Sequence, residues 1–509
     1  MTESTRTNSE ARRHIVGIAE GSLKKTIYAG AGAGTGKTQA LVERIANLFT
    51  LGDVKPENIA AVTFTKAAAS ELRQRVREEL ERRLASDQAD VSAAVKSMLA
   101  QALETLDSAF IGTIHSFAQS LLRERPLPVG LPPVFELYDA VQGDTRFEEE
   151  WSKWLDDELS DPAFSDAIVN AQRLGLRTPL ATLRDLAQEF HANYDLVDRF
   201  GNLEVPKQVI SAGDVLESIL ADISKALELR TYCTNPEDKL LSHLNGEIDV
   251  VVSWIDEAIA SKTDEEHILA LTQLPKLTAT GGRKGDWSAL ASGESSLEEV
   301  RALLKEAQGR LEAGRQSIGE SIVVPLVNAV SKMVLEYARK RRNEGLLEFQ
   351  DLLVLSCELL DENEEARKYF QSRYTHVLID EFQDTDPLQL KLAMRLADRS
   401  NGTGKPTPGA LFVVGDGKQS IYRFRRADLT QLQGLIGSLG AERLSLTGNY
   451  RSDPGILNWV NAVFEPWMNG PDGQANDPNQ ADYVPFEPGR SDYFESDKPR
   501  VMIAGGPAD

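Results

Sequence analysis

The sequence has no excess of basic residues. Its 509 residues carry 56 Lys and Arg against 78 Asp and Glu, a formal net charge of -22. That excludes a uniformly basic nucleic-acid binder, since such proteins neutralise phosphates across a broad surface. Any polyanion site must therefore be local. Cysteine is scarce as well: Cys233 and Cys357 are the only two, too few for a four-sulfur metal site or cluster. They read as isolated thiols of a reducing compartment. The opening stretch MTESTRTNSEARRH lacks the apolar core of a signal peptide, and no apolar run approaches a membrane span. A cytoplasmic protein with no membrane partner is expected.

What is present is 41% hydrophobic residues, enough for packed cores in roughly three domains. No internal repeat is apparent. Short apolar runs precede polar turns again and again. A strand from Lys25 to Ala29 leads into a glycine loop and a helix with Leu41, Ile45 and Leu48 at helical spacing. A second strand, Ile59 to Phe64, leads into a helix with Leu72, Val76 and Leu80. AFIGTIHSF, THVLIDEFQD, ALFVVGDGKQ and RLSLTGNYRS repeat the arrangement. Strands alternating with helices imply an α/β parallel sheet with ligand sites at the carboxyl ends of its strands. From about Pro126 to Arg342 the chain reads as a large helical insertion. Within it, the stretch from Leu277 to Ser296, with Arg283, Lys284 and Trp287, reads as a solvated loop rather than a nucleic-acid contact.

The stretch AGAGTGKT comprises Ala31, Gly32, Ala33, Gly34, Thr35, Gly36, Lys37 and Thr38. It departs from the usual phosphate loop only in having Ala31 at the first glycine position. Backbone N–H groups in such a loop turn toward phosphate oxygens, and the following helix adds its positive N-terminal end. Lys37 would reach the β and γ phosphates of ATP, and the Thr38 hydroxyl would help to hold Mg2+. A magnesium–nucleotide site also needs a carboxylate at another strand end. Asp380, after the apolar run Val377 to Ile379, suits the metal, and Glu381 suits acceptance of a proton from attacking water. Adjacent acids can also be plain surface charge, which the apolar run into them argues against.

With these stretches in the same order, the chain resembles the UvrD/Rep/PcrA-type superfamily 1 DNA helicases, and TIHSFAQSLLRERP and the helical insertion place it nearest the AddA/RecB branch. The resemblance covers about Ile15 to Phe464. It implies a RecA-like motor lobe 1A split as residues 1–125 and 343–440, a helical arm at 126–342, and the start of an incomplete second lobe, 2A, at 441–509. Thr63, Phe64 and Thr65 would then touch single-stranded DNA, as would His115. Gln419 would sense the γ-phosphate, Tyr422 and Phe424 would lie against bases, and Arg425 would hold the strand. Arg451 would contact the γ-phosphate and Tyr450 would stack on adenine.

Several positions depart from the family's pattern: Ala67 stands for Lys, Gly417 for Pro and Arg426 for Gly, and Glu10 lies near where an adenine-reading Gln is expected. The implied activity is ATP-driven movement, 3′ to 5′, on single-stranded DNA at a duplex junction, in repair or recombination. The family's later motifs and a nuclease domain have no counterpart in these residues. An N-terminal portion of a longer motor, or a chain that needs a second helicase/nuclease subunit, is therefore expected. An ATP-sensing DNA-binding subunit without motor activity is the alternative, and a small-molecule kinase would have no use for QSIYRFR.

Overall fold

Alternation of side chains along short strands gives the sheet two buried faces. In the computed structural model, which describes residues 8–86, 92–204, 211–261, 263–400, 404–427, 434, 437, 440–469, 481–489 and 501, six strands form one parallel sheet. They are β1 (Ile27–Ala31), β2 (Ile59–Thr63), β3 (Phe110–Thr113), β4 (His376–Ile379), β5 (Leu411–Gly415) and β6 (Glu442–Leu446), in the order β3-β2-β4-β5-β1-β6. Ala60, Val62, Ile379 and Val413 face one core with the helices Ile114–Glu124, Phe349–Glu362 and Pro387–Ala397. Ile59, Ala61, Leu378 and Phe412 face the other, with α1 (Asn8–Ile15), α2 (Lys37–Thr50) and α3 (Lys66–Leu84). A strand whose neighbouring residues feed opposite cores has to be apolar throughout, which is why these runs carry so few polar residues.

The α/β parallel class is as the sequence implies, but two boundaries differ. β1 lies two residues beyond the expected strand, so Ala31 is its buried last residue rather than part of the loop. Residues 442–446, expected to open a second lobe, instead form the edge of the first sheet: Ile27 pairs with Glu442 and Ala31 with Leu446. Leu444 and Leu446 are buried in the same core as β1. Backbone pairing with β1 and burial of both leucines hold the segment in this sheet. Of the terminal stretch RVMIAGG, expected as a strand, all but Val501 lies outside the described residues.

The chain divides into two compact units, residues 138–341 and the remainder. Residues 138–341 are helical, built along the helix Ser296–Glu344, which buries Val300, Leu304, Leu311, Ile318, Ile322, Leu326 and Val330. Contrary to the expectation that no run approaches a membrane span, this helix holds an 18-residue window of mean hydropathy 1.5, long and apolar enough to cross a membrane by length and composition. Of that window, 39% is buried. The stretch 277–296 is not a free loop. Trp287 is buried and bridges Cys233, and the Arg283 amide donates to Asp238 Oδ2 at 3.0 Å. Cys233 and Cys357 are both free thiols.

Candidate active site

Every motif singled out in the sequence falls at or just beyond the carboxyl end of a strand of this sheet. The loop after β1 turns through Gly34 and Gly36, whose φ values of 81° and 83° are open to glycine and strained for other residues. Thr35 closes the turn: its amide and its hydroxyl both donate to the Gly32 carbonyl, the hydroxyl at 2.8 Å. Lys37 and Thr38 then open α2 with Gly36 as its N-cap, so the helix's unpaired N–H groups and positive end face the loop.

Lys37 Nζ meets Glu381 Oε2 at 2.6 Å, with the Lys37 side chain largely buried. Glu381 follows β4 in the left-handed region, φ 52°, an uncommon conformation for a residue with a Cβ. Its amide donates to Asp380 Oδ1 at 3.0 Å. Burial pushes the Asp380 carboxyl up to about 6, aided by the neighbouring Glu381 charge and opposed by Lys37. A carboxylate so desolvated gains from a nearby cation. Among the described residues no group of three or more His, Cys, Asp or Glu gathers as a metal site. An ion held mainly by phosphate oxygens and water needs few protein ligands. Asp380, with the hydroxyl of Thr38, fits that role.

A hydrogen-bonded chain runs on from the acid pair. Gln383 Nε2 donates to Glu381 Oε2 at 2.8 Å, and Gln383 Oε1 accepts the Asp416 amide at 2.9 Å. Buried Asp416 accepts from Gln419 Nε2 at 2.9 Å and pairs with Lys418 at 3.0 Å. Beyond β6, Asn449 Nδ2 donates to the Ala33 carbonyl at 2.7 Å, and the Tyr450 amide donates to the Gly34 carbonyl at 2.8 Å. Arg451 thereby sits against Gly34, and Tyr450 is half exposed. Gln383, Asp416 and Asn449 were not singled out in the sequence. The signal was their place inside motifs already noticed, between residues with more obvious chemistry.

The residues expected on DNA are brought together in part. The Phe64 and Tyr422 rings stack at 4.9 Å, and Phe424 lies 5.8 Å from Tyr422 and is 77% exposed. Thr63 is buried with its hydroxyl donating to the Thr65 carbonyl, and Thr65 caps α3 by accepting the Ala68 amide. His115 makes an edge contact with Phe349 at 5.8 Å. The Arg425 side chain lies outside the described residues. At the departures from the family's pattern, Arg426 keeps a glycine-like backbone, φ 67°, and pairs with Asp386 at 3.5 Å. Gly417 starts a short turn capped by Asp416. Glu10 and Ala67 are exposed.

A parallel sheet in which one strand passes through a glycine loop into a helix, with an acid pair at the end of another strand, defines a P-loop α/β fold. Within that class the chain belongs to the UvrD/REP helicase N-terminal domain family, whose model matches residues 17–438. It is similar to the A subunit of the ATP-dependent helicase/nuclease of Bacillus licheniformis, 27% identical over 91% of this chain and 40% of that protein. The proteins of the same name from Clostridium perfringens (28% identical; 90% of this chain, 38% of that one) and Pediococcus pentosaceus (26%; 87% and 38%) are similar too. The chain spans about two fifths of the length of the curated relatives it matches.

Proposed function

We propose that this chain is the ATP-binding portion of a DNA helicase that moves 3′ to 5′ along single-stranded DNA in the cytoplasm, in repair or recombination, together with a second helicase/nuclease subunit or further sequence. The observation that carries the reading is the Lys37–Glu381 contact of 2.6 Å. A phosphate that displaced this direct contact would meet a cation on one side and a proton acceptor on the other. Lys37 binds β and γ oxygens, with Ala33, Gly34, Thr35 and Gly36 supplying the loop around them. Asp380 and Thr38 would hold Mg2+, which would neutralise phosphate charge during transfer. Glu381 accepts the proton of attacking water. Arg451 and Gln419 face the γ-phosphate, and Tyr450 offers a ring to the base.

The chain from Glu381 through Gln383 to Asp416 and Gln419 gives a physical route from this site to Tyr422 and Phe424 on the adjoining turn. Stacked rings grip any base, which suits movement independent of sequence. ATP hydrolysis by the purified chain, measured with and without single-stranded DNA, tests the reading. Stimulation of about tenfold or more is expected for a motor whose chemistry is coupled to its strand. Tight nucleotide binding with hydrolysis indifferent to DNA would leave an ATP-sensing subunit instead.

A further inference from the structure

Residues 481–489 lie across the outer edge of the phosphate loop, and nothing in the proposed chemistry uses them. Side-chain amides hold this segment in place. Asn469 pairs with both the N–H and the C=O of Tyr483, at 2.7 and 2.8 Å, and Asn461 does the same for Phe486, at 3.0 and 2.9 Å. Asn461 also accepts the Tyr483 hydroxyl at 2.9 Å. Both asparagines belong to the helix Pro454–Asn469. The Glu487 amide donates to the Thr447 carbonyl, and the Gly489 amide to that of Asn449, each at 2.8 Å.

So fixed, the Phe486 ring lies directly on Gly32. A Cβ added at Gly32 would come 2.3 Å from one ring carbon and 2.6 Å from another, while its next neighbour, Asp416, stands at an ordinary 3.6 Å. Gly32 lies outside the left-handed region that favours glycine, so the ring is the obstacle to a side chain there. The ring also meets the turn after β5, where Lys418 Nζ stands 5.8 Å from the Phe486 centroid and 5.7 Å from that of Tyr483. Gly32, Asp416, Lys418, Val484 and Phe486 share the lining of one cavity of about 120 Å³.

We propose that Phe486 is a positioning residue for the phosphate loop: its ring, carried on backbone that Asn461 holds through both the N–H and the C=O, bears on Gly32 and sets the loop's path from β1 toward Lys37. The proposal rests on the nucleotide-site reading above. Phe486 touches no phosphate in this scheme and acts through the loop backbone. Gly32 is glycine because of the ring, so the two positions should tolerate change as a pair and not singly.

The test is titration of the whole chain with a fluorescent ATP analogue, for the parent, Gly32→Ala, Phe486→Ala, Phe486→Leu and the double variant Gly32→Ala/Phe486→Ala. Gly32→Ala should weaken binding about tenfold through overpacking, and the double variant should recover to within about threefold of the parent. Phe486→Leu should bind more tightly than Phe486→Ala. A Gly32→Ala protein that fails to fold while the double variant folds and binds reports the same conflict. Parent-like affinity in Gly32→Ala, or a double variant that binds no better than Gly32→Ala or does not fold, overturns the proposal. Failure of the parent itself to bind the analogue would instead remove the nucleotide-site reading, and this inference with it.

Discussion

Lys37 Nζ lies 2.6 Å from Glu381 Oε2, joining the first turn of α2 to the residue two positions beyond β4. The two side chains have opposite tasks in the proposed reaction, so their substitutions should differ in kind. Lys37→Ala removes the cation and leaves the Glu381 carboxylate facing the phosphates. Nucleotide affinity should fall about 100-fold or more, roughly 3 kcal/mol. Glu381→Gln keeps the volume and loses the proton acceptor. Binding should stay within about threefold of the parent while turnover falls by about 10² to 10⁴. Equilibrium titration and steady-state hydrolysis of both proteins check this, and parent-rate hydrolysis by Glu381→Gln would move the base elsewhere.

The aromatic row divides by exposure. Tyr422 is packed on Phe64, whereas Phe424 is 77% exposed and buries little in the fold itself. Phe424→Ala should therefore weaken single-stranded DNA binding by about 1–3 kcal/mol with an unchanged melting temperature. Tyr422→Ala should lower both. Fluorescence anisotropy with a short oligonucleotide, paired with thermal melts, separates the effects. A stability loss in Phe424→Ala with DNA affinity intact would make the ring structural.

The chemical residues of the site could be read from the sequence because short stretches carry them: glycines before Lys37, and an apolar run ending at Asp380 and Glu381. The connections among them could not. Gln383 is polar between two acids, and nothing in its spacing says that its amide spans Glu381 and Asp416. Placing residues 442–446 in a second lobe failed for a related reason: a strand's partner is chosen by distant backbone groups, and RLSL pairs with β1 from more than 400 residues away. The bearing of Phe486 on Gly32 joins two segments about as far apart, and no periodicity reports such a contact.

His376, at the start of β4, contributes a pH dependence. Burial, and then the charges of Arg399 and Arg44, hold its imidazole down at about 4, while in the unfolded chain it titrates near about 6.5. The folded protein therefore binds fewer protons between these values. Stability is fully present above about pH 6.5 and is lost as the pH falls toward about 4, with a cost near pH 5 of roughly 2 kcal/mol. His376→Gln removes this titration, so the midpoint of urea unfolding should change less steeply with pH across the window than in the parent. Parallel curves for the two proteins would show that the acid sensitivity lies in other groups.

Asn449 should act on the nucleotide without touching it. It is buried, its Nδ2 holds the Ala33 carbonyl, and its Oδ1 accepts the amides of Arg451 and Ser452 at 2.9 Å each. One side chain thus fixes both the middle of the phosphate loop and the turn that presents Arg451. Asn449→Ala leaves the part-buried Ala33 carbonyl and two amides without that partner, a loss of about 1–3 kcal/mol for each group that water cannot reach. The loop should loosen and Arg451 should lose its register. Nucleotide affinity is expected to fall about tenfold and hydrolysis further still, because Arg451 is placed on charge that develops only during transfer. Asn449→Asp keeps the acceptor for the Arg451 and Ser452 amides but sets a carboxylate oxygen against the Ala33 carbonyl. It should therefore retain more turnover per bound nucleotide than Asn449→Ala while binding as weakly. Single-turnover hydrolysis at saturating nucleotide distinguishes the two, and equal rates would show that Asn449 does not position Arg451.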